Sequence, residues 1–224
     1  MCLLTLAGAK AVAAGPQPAV FRVTVTGTLT KEWSFTRVEA QANCTRTTRG
    51  RGRWQLRLSS RHPGRVRAIP GVDGRVRFSD ATVSGIGGTA TRSGTMTVTA
   101  GGDPPCERRT QTVRCGRQRK TFSRGSSSLR SPRKGFLRLA SLRGASAARS
   151  FAGRCLEEPN DIRAIRTDLP LATGPLDARD VFGRDVSRFF VTGNSEQVTT
   201  LDGDVVGRVT ERVRWTVVFT RLPH

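Results

Sequence analysis

The closing stretch Val205 to Leu222 constrains this chain more than any other. Val209, Glu211, Val213, Trp215, Val217 and Phe219 fall on one parity, and Thr210, Arg212, Arg214, Thr216 and Thr220 on the other, broken only by Val218. Side chains alternate across a strand, so this pattern is a long half-buried β-strand with one wet face. Shorter runs repeat it: Phe21, Val23, Val25; Trp54, Leu56, Leu58; Val66, Ala68; Val76, Phe78; Met96, Val98. Thr and Val dominate, as strands prefer. The expected fold is a single antiparallel all-β domain, a barrel or a sandwich with meander connections. Pairing Phe21–Leu29 with Val209–Leu222 would protect two long edges from aggregation.

Turn chemistry divides the strands. Pro70 to Gly74 reads as a hairpin connection, and Gly85 to Gly88 and Gly101 to Pro105 as further breaks. Gly193-Asn194 and Asp202-Gly203 both read as two-residue turns, making a meander of Arg188–Thr192, Gln197–Leu201 and Val205–Leu222. Disorder is expected nowhere except near Ser123 to Ser131. Phe136 to Arg143 suits strand or helix. Residues 156–186 read as a long irregular surface connection, with one helical turn from an Asp177 N-cap to Gly183.

The N-terminus points outside the cell. Residues 1–14 join a short apolar run, Cys2 to Ala9, to the small residues Ala11 to Ala14, the pattern of a secretory signal that lacks its basic start. The expected mature chain, 15–224, keeps four cysteines, Cys44, Cys106, Cys115 and Cys155, an even count that predicts two disulfides. Three pairings are open, and Cys106–Cys115 with Cys44–Cys155 is favoured. Localisation is expected to be extracellular or at the cell envelope. No stretch is apolar for the ~18 residues a spanning helix needs.

Charge is uneven. The chain carries 38 Lys and Arg against 17 Asp and Glu, a net charge of +21. Residues 1–155 hold a net +23 and residues 156–224 a net −2, and 34 of the basic residues are Arg. Coding bias in a GC-rich genome accounts for much of the Arg and for the absence of Tyr. Its physical consequence is attraction for polyanions. Arg57, Arg65, Arg67, Arg75 and Arg77 fall on outward strand positions, and Arg117, Arg119, Lys120 and Arg124 in what read as neighbouring loops. These are the candidate polyanion-binding residues, for an anionic envelope polymer or lipid headgroups.

Catalytic chemistry is sparse. The two histidines are His62, before Pro63-Gly64, and His224, the last residue. There is no G-x-S-x-G, H-E-x-x-H or phosphate loop, and no C-x-x-C pair to hold zinc. No catalytic residue, metal or cofactor is expected, and no specific nucleic acid, since recognition motifs are lacking and aromatic residues make up 6%. An enzymatic alternative is a secreted carbohydrate-active enzyme using acids such as Asp161, Asp168, Asp180 and Asp185. Another is a barrel carrying a small apolar ligand, lined by Phe21, Trp54 and Trp215. Glu211 on the apolar face is either a ligand contact or a rim residue paired with Arg.

Several elements together resemble a group of uncharacterised secreted β-rich proteins of soil actinobacteria: the opening F-R-V-T-V-T-G-T from Phe21 with nearby Trp33, Gly50 to Gly52, T-R-S-G-T-M-T-V at Thr91 to Val98, Cys115-Gly116-Arg117, and V-R-W-T-V-V-F-T-R-L at Val213 to Leu222. The resemblance spans most of the mature chain. It implies an exported β domain and no particular activity.

Overall fold

The computed structural model describes residues 17–41, 43–103, 106–139, 171–172, 175–183 and 185–223. The expected signal segment, Cys155, Asp161 and Asp168 lie outside them. Ten strands form one antiparallel sheet: β1 (Ala19–Gln41), β2 (Cys44–Ser60), β3 (Gly64–Pro70), β4 (Val76–Phe78), β5 (Ala81–Gly102), β6 (Arg109–Arg130), β7 (Arg138–Leu139), β8 (Leu171–Ala172), β9 (Arg188–Leu201) and β10 (Val205–Arg221). The hydrogen-bonded path runs β9-β10-β1-β2-β5-β6-β7-β8, and β3-β4 branch from β1. Among the described residues the ladder is not closed, although β8 comes against β9.

The opening and closing strands pair as expected, from Phe21 opposite Arg221 to Arg37 opposite Val205. This pairing sits inside the sheet rather than sealing it, because β10 also pairs β9. β1 is long enough to serve two partners on its other side. Ala19–Val23 pair β3, and Thr26–Gln41 pair β2. The β3–β4 hairpin turns aside to pair the first five residues of β1, and β5 returns to β2.

Alternation fills the inner face. Phe21, Val23, Val25, Val66, Val76, Leu129, Leu137, Val217 and Phe219 are completely or almost completely buried. Phe219 anchors an aromatic cluster, stacked on Phe189 at 4.5 Å and tilted against Phe78 at 5.6 Å. Each such side chain contributes roughly 1.5–3 kcal/mol by leaving water. A short helix, α1 (Ala178–Phe182), buries Val181 and Phe182, and the Asp177 carboxylate accepts from Arg179 N–H at 2.8 Å as its N-cap. Gly183 ends it, but at φ −48° rather than in the left-handed region.

Three expected breaks are not breaks. Gly193-Asn194 lies within β9: Gly193 faces Trp215 across the ladder, under the indole ring, and a larger residue there would collide with it. Gly85 to Gly88 lies within β5 as a bulged stretch, where Gly85 takes φ +61° and the register against β6 shifts. Bulges bend a long strand without ending it. Ser123–Arg130 is strand, pairing Ala81–Val83, with Ser127 and Leu129 buried. Pro70 to Gly74 and Asp202-Gly203 do turn the chain, with Gly74 at φ +74° and Gly203 at +124°.

The favoured disulfide pairing is corrected. Cys44 bonds Cys106, with Cα atoms 5.6 Å apart. Cys44 starts β2 opposite Gly102 at the end of β5, so the segment after β5 brings Cys106 back to it. Cys115 lies six residues inside β6, opposite Gly94. That many strand steps span roughly 20 Å from Arg109, too far for a Cys106 bond, which needs Cα atoms within ~7 Å. Cys115 is itself disulfide-bonded, to a partner outside the described residues.

Candidate functional site

The middle of the outer face is polar: Thr24, Thr26, Thr28 and Glu32 on β1 stand beside Arg49, Arg51, Arg53, Gln55 and Arg57 on β2, while Val20, Phe190, Val198 and Val206 are exposed apolar residues on the same face. A lipid-facing barrel needs an apolar outer band about 25 Å tall, and this face carries guanidinium and hydroxyl groups instead.

Cross-strand register sorts the candidate basic residues. Asn194, Arg214, Thr28, Arg57, Thr89 and Thr121 stand opposite one another in sequence across β9, β10, β1, β2, β5 and β6. In the adjacent row Gln55 faces Thr91, and Thr91 faces Arg119. Two surface concavities result. One, of about 460 Å³, is lined by Gln55, Arg57, Thr89, Thr91, Arg117 and Arg119. The other, of about 640 Å³, lies among Thr26, Thr28, Arg57, Thr192, Asn194, Arg214 and Thr216. Arg57 borders both.

The structure therefore brings Arg57, Arg117 and Arg119 together and adds Arg214, which sequence reasoning had left out. Arg65, Arg67 and Arg77 are exposed but belong to the β3–β4 hairpin, where Arg65 faces Arg22. Arg75 forms an isolated bridge with Asp177. Arg124 is exposed on β6. The residues expected in loops, Arg117, Arg119, Lys120 and Arg124, are all on β6. Lys120 is displaced from the group: it pairs Ala90, which is fully buried, and so takes the inner parity while Arg117 and Arg119 point out.

Charge balance distinguishes the members of the outer face. Arg212 forks onto Glu196, Nε to Oε2 at 3.1 Å and Nη2 to Oε1 at 3.2 Å, and reaches Glu32 with Nη1 at 3.0 Å. Arg53 also meets Glu32, at 3.4 Å. The Arg212 hydrogen bond, helped by the charges of Arg212, Arg208 and Arg214, holds the Glu196 carboxyl below the usual range. Arg57, Arg117, Arg119 and Arg214 make no ion pair among the described residues. All four are exposed, and only Arg214 lies close enough to an acid, Glu196, for its charge to be felt there.

The inner face holds a second polar feature. Glu211, 1% exposed, stands directly opposite Lys31, 8% exposed, and the same row continues through Trp54, Arg92 and Gln118. Glu211 thus shares the apolar face, as its parity predicts. It lies in the interior and not at a rim, with Lys31 and not Arg across from it. Among the described residues Glu211 is the one buried carboxylate, so no buried acid pair forms. Asp180 and Asp185 are exposed. The ligand-lining candidates Phe21, Trp54 and Trp215 fall in different rows of a packed face, and Phe21 sits edge-on to Phe189 and Phe219.

No protein-family model matches the chain, and no curated protein matches it. Among solved structures it aligns with Ail, the attachment invasion locus protein of Yersinia pestis, at 7% identity over 91% of this chain and 99% of that one, with a TM-score of 0.12. A score of that size reflects no shared arrangement of strands. The fold and surface define a disulfide-bonded all-β protein with a built basic face.

Proposed function

We propose that this chain is a non-enzymatic extracytoplasmic protein that binds anionic envelope polymers through the outer face of β10, β2 and β6. The convergence of Arg57, Arg117 and Arg119 on one concavity, without acidic partners, carries the reading. Arg forks suit phosphate, sulfate and carboxylate oxygens. A disulfide persists in oxidising compartments and agrees with export.

Such binding is largely counterion release, so it must fall steeply with salt. Retention on dextran sulfate across a salt series tests it. Reversal of Arg57, Arg117 and Arg119 to Glu should lower retention and flatten its salt dependence. Reversal of Arg65, Arg67 and Arg77, an equal change in net charge, should do so far less. Equal loss in both variants would leave only diffuse attraction, and no retention at low salt would refute the reading.

A further inference from the structure

The spacing and chemistry of the outer row point to a narrower ligand class, given that the face binds anionic polymers: we infer that it takes an acidic polysaccharide whose charge recurs once per disaccharide, laid across the strands. The row runs perpendicular to the chain direction, and its cations occupy alternate strands. Arg214 on β10 and Arg57 on β2 share the row, with Thr28, Thr89 and Thr121 on β1, β5 and β6, and Arg119 stands on β6 in the next row, opposite Thr91. Neighbouring strands lie ~4.8 Å apart and successive residues ~3.4 Å, so Arg214 and Arg57 are about 10 Å apart and Arg119 about 12 Å from Arg57, over a track of about 20 Å. Two sugar units of an extended glycan cover one such step. A nucleic-acid strand carries a charge every ~3.4 Å, so most of its phosphates would fall between the cations.

The intervening groups also favour a glycan. Between and beside the cations stand hydroxyl and amide side chains: Thr28, Thr89, Thr91, Gln55 and Asn194. These pair with sugar hydroxyls in a way that a bare phosphate chain cannot use. At the β9 end Phe190 is 71% exposed, two residues along the same face from Thr192, which borders the larger concavity. An exposed aromatic face beside a polar track is a platform for the apolar face of a pyranose. Glu196 and Glu32, one and two rows away, pair with Arg212 and Arg53, whereas Arg214, Arg57 and Arg119 make no ion pair among the described residues.

The test compares four immobilised polymers at matched charge concentration: hyaluronan, polyphosphate, single-stranded poly(dT), and neutral dextran as a blank. The full chain should bind hyaluronan most tightly and keep part of that binding at salt that abolishes the other two. Arg57→Gln should weaken hyaluronan binding about ten-fold, since Arg57 borders both concavities and makes charge-assisted bonds. Arg65→Gln should leave it unchanged. Phe190→Ala should weaken hyaluronan but not polyphosphate. Preference for polyphosphate or poly(dT), or indifference of hyaluronan binding to Phe190→Ala, would overturn the polysaccharide assignment and leave the anionic-polymer reading standing. Failure to bind any anionic polymer at low salt would overturn both.

Discussion

Replacing Gly52 with Ala should destabilise the protein through one side chain, Trp33. The two residues face each other across β1 and β2, and the indole lies over the glycine. A methyl group at Gly52 would fall 2.6 Å from Trp33 Cε2 and 3.0 Å from Cη2. Carbon atoms rest at about 3.5–4.0 Å, so the ring or the strand must move by roughly an ångström. Trp33 is 5% exposed, and the Arg92 guanidinium carbon lies 5.9 Å from its ring centroid, so free space is scarce. Overpacking of this kind costs about 1–3 kcal/mol. Gly116 supplies the contrast, because a methyl group there would meet nothing within 4 Å. Gly116→Ala should be neutral or stabilise by about 0.4–1 kcal/mol through the unfolded chain. Urea unfolding followed by tryptophan fluorescence and far-UV circular dichroism gives each midpoint and slope. The decisive comparison repeats Gly52→Ala in a Trp33→Leu background, where its penalty should shrink below about 0.5 kcal/mol. An equal penalty in both backgrounds, or none with Trp33 present, would refute the packing of the indole on Gly52.

Phe219→Ala removes the centre of the aromatic cluster and should cost about 3–5 kcal/mol in urea unfolding. Truncation after Asp204 removes β10, which separates β1 from β9, and soluble cooperative folding should be lost, as size-exclusion chromatography and thermal melting would show. Non-reducing peptide mapping should recover Cys44 linked to Cys106 and place Cys115 in a second linked peptide; a Cys106–Cys115 species would contradict the β6 geometry. Because the folded-state pKa of Glu196 is depressed, its ion pair is present above the unfolded-state value and lost as pH falls through the folded one. Arg212 then loses that partner, so retention on dextran sulfate, still fully charged, should rise as pH falls through the depressed Glu196 value.

Parity was the legible part of this fold. It placed Glu211 among Val209, Val213 and Trp215, and it put Arg57, Arg65, Arg67 and Arg77 outside, because both follow from a period of two within one strand. The β1–β10 pairing was legible for a related reason, since the two longest alternating runs had the most edge to cover. Glycine was misread where its role is packing or bending: Gly193 yields space to Trp215, and Gly85 carries a bulge. Neither purpose leaves a local mark different from a turn. The grouping of Arg57 with Arg119 and Arg214 was not legible either. It depends on β5 skipping β3–β4 to reach β2, and Arg117 joins through the register shift between Arg92 and Gly94, which sets Gly116 and Arg117 against Ser93. Lys31 escaped notice because a lone lysine in an alternating run reads as a wet residue until its neighbour across the strand is known.

The two faces are coupled through register. Lys31 opposes Glu211, and three residues away Thr28 opposes Arg214. Sliding β1 by two residues against β10 would set Lys31 against Val209 or Val213 and leave two buried charges in apolar surroundings. An uncompensated buried charge costs about 3–5 kcal/mol, so the slipped registers are strongly disfavoured even though Thr and Val repeat along both strands and would tolerate them. The repeats themselves specify register weakly, and the buried ionic positions specify it sharply. Fixing Lys31 on Glu211 also fixes Arg214 on Thr28, and through Thr28 on Arg57. The register that sets Arg214 beside Thr28 and Arg57 on the outside is therefore the same one that sets Lys31 opposite Glu211 on the inside.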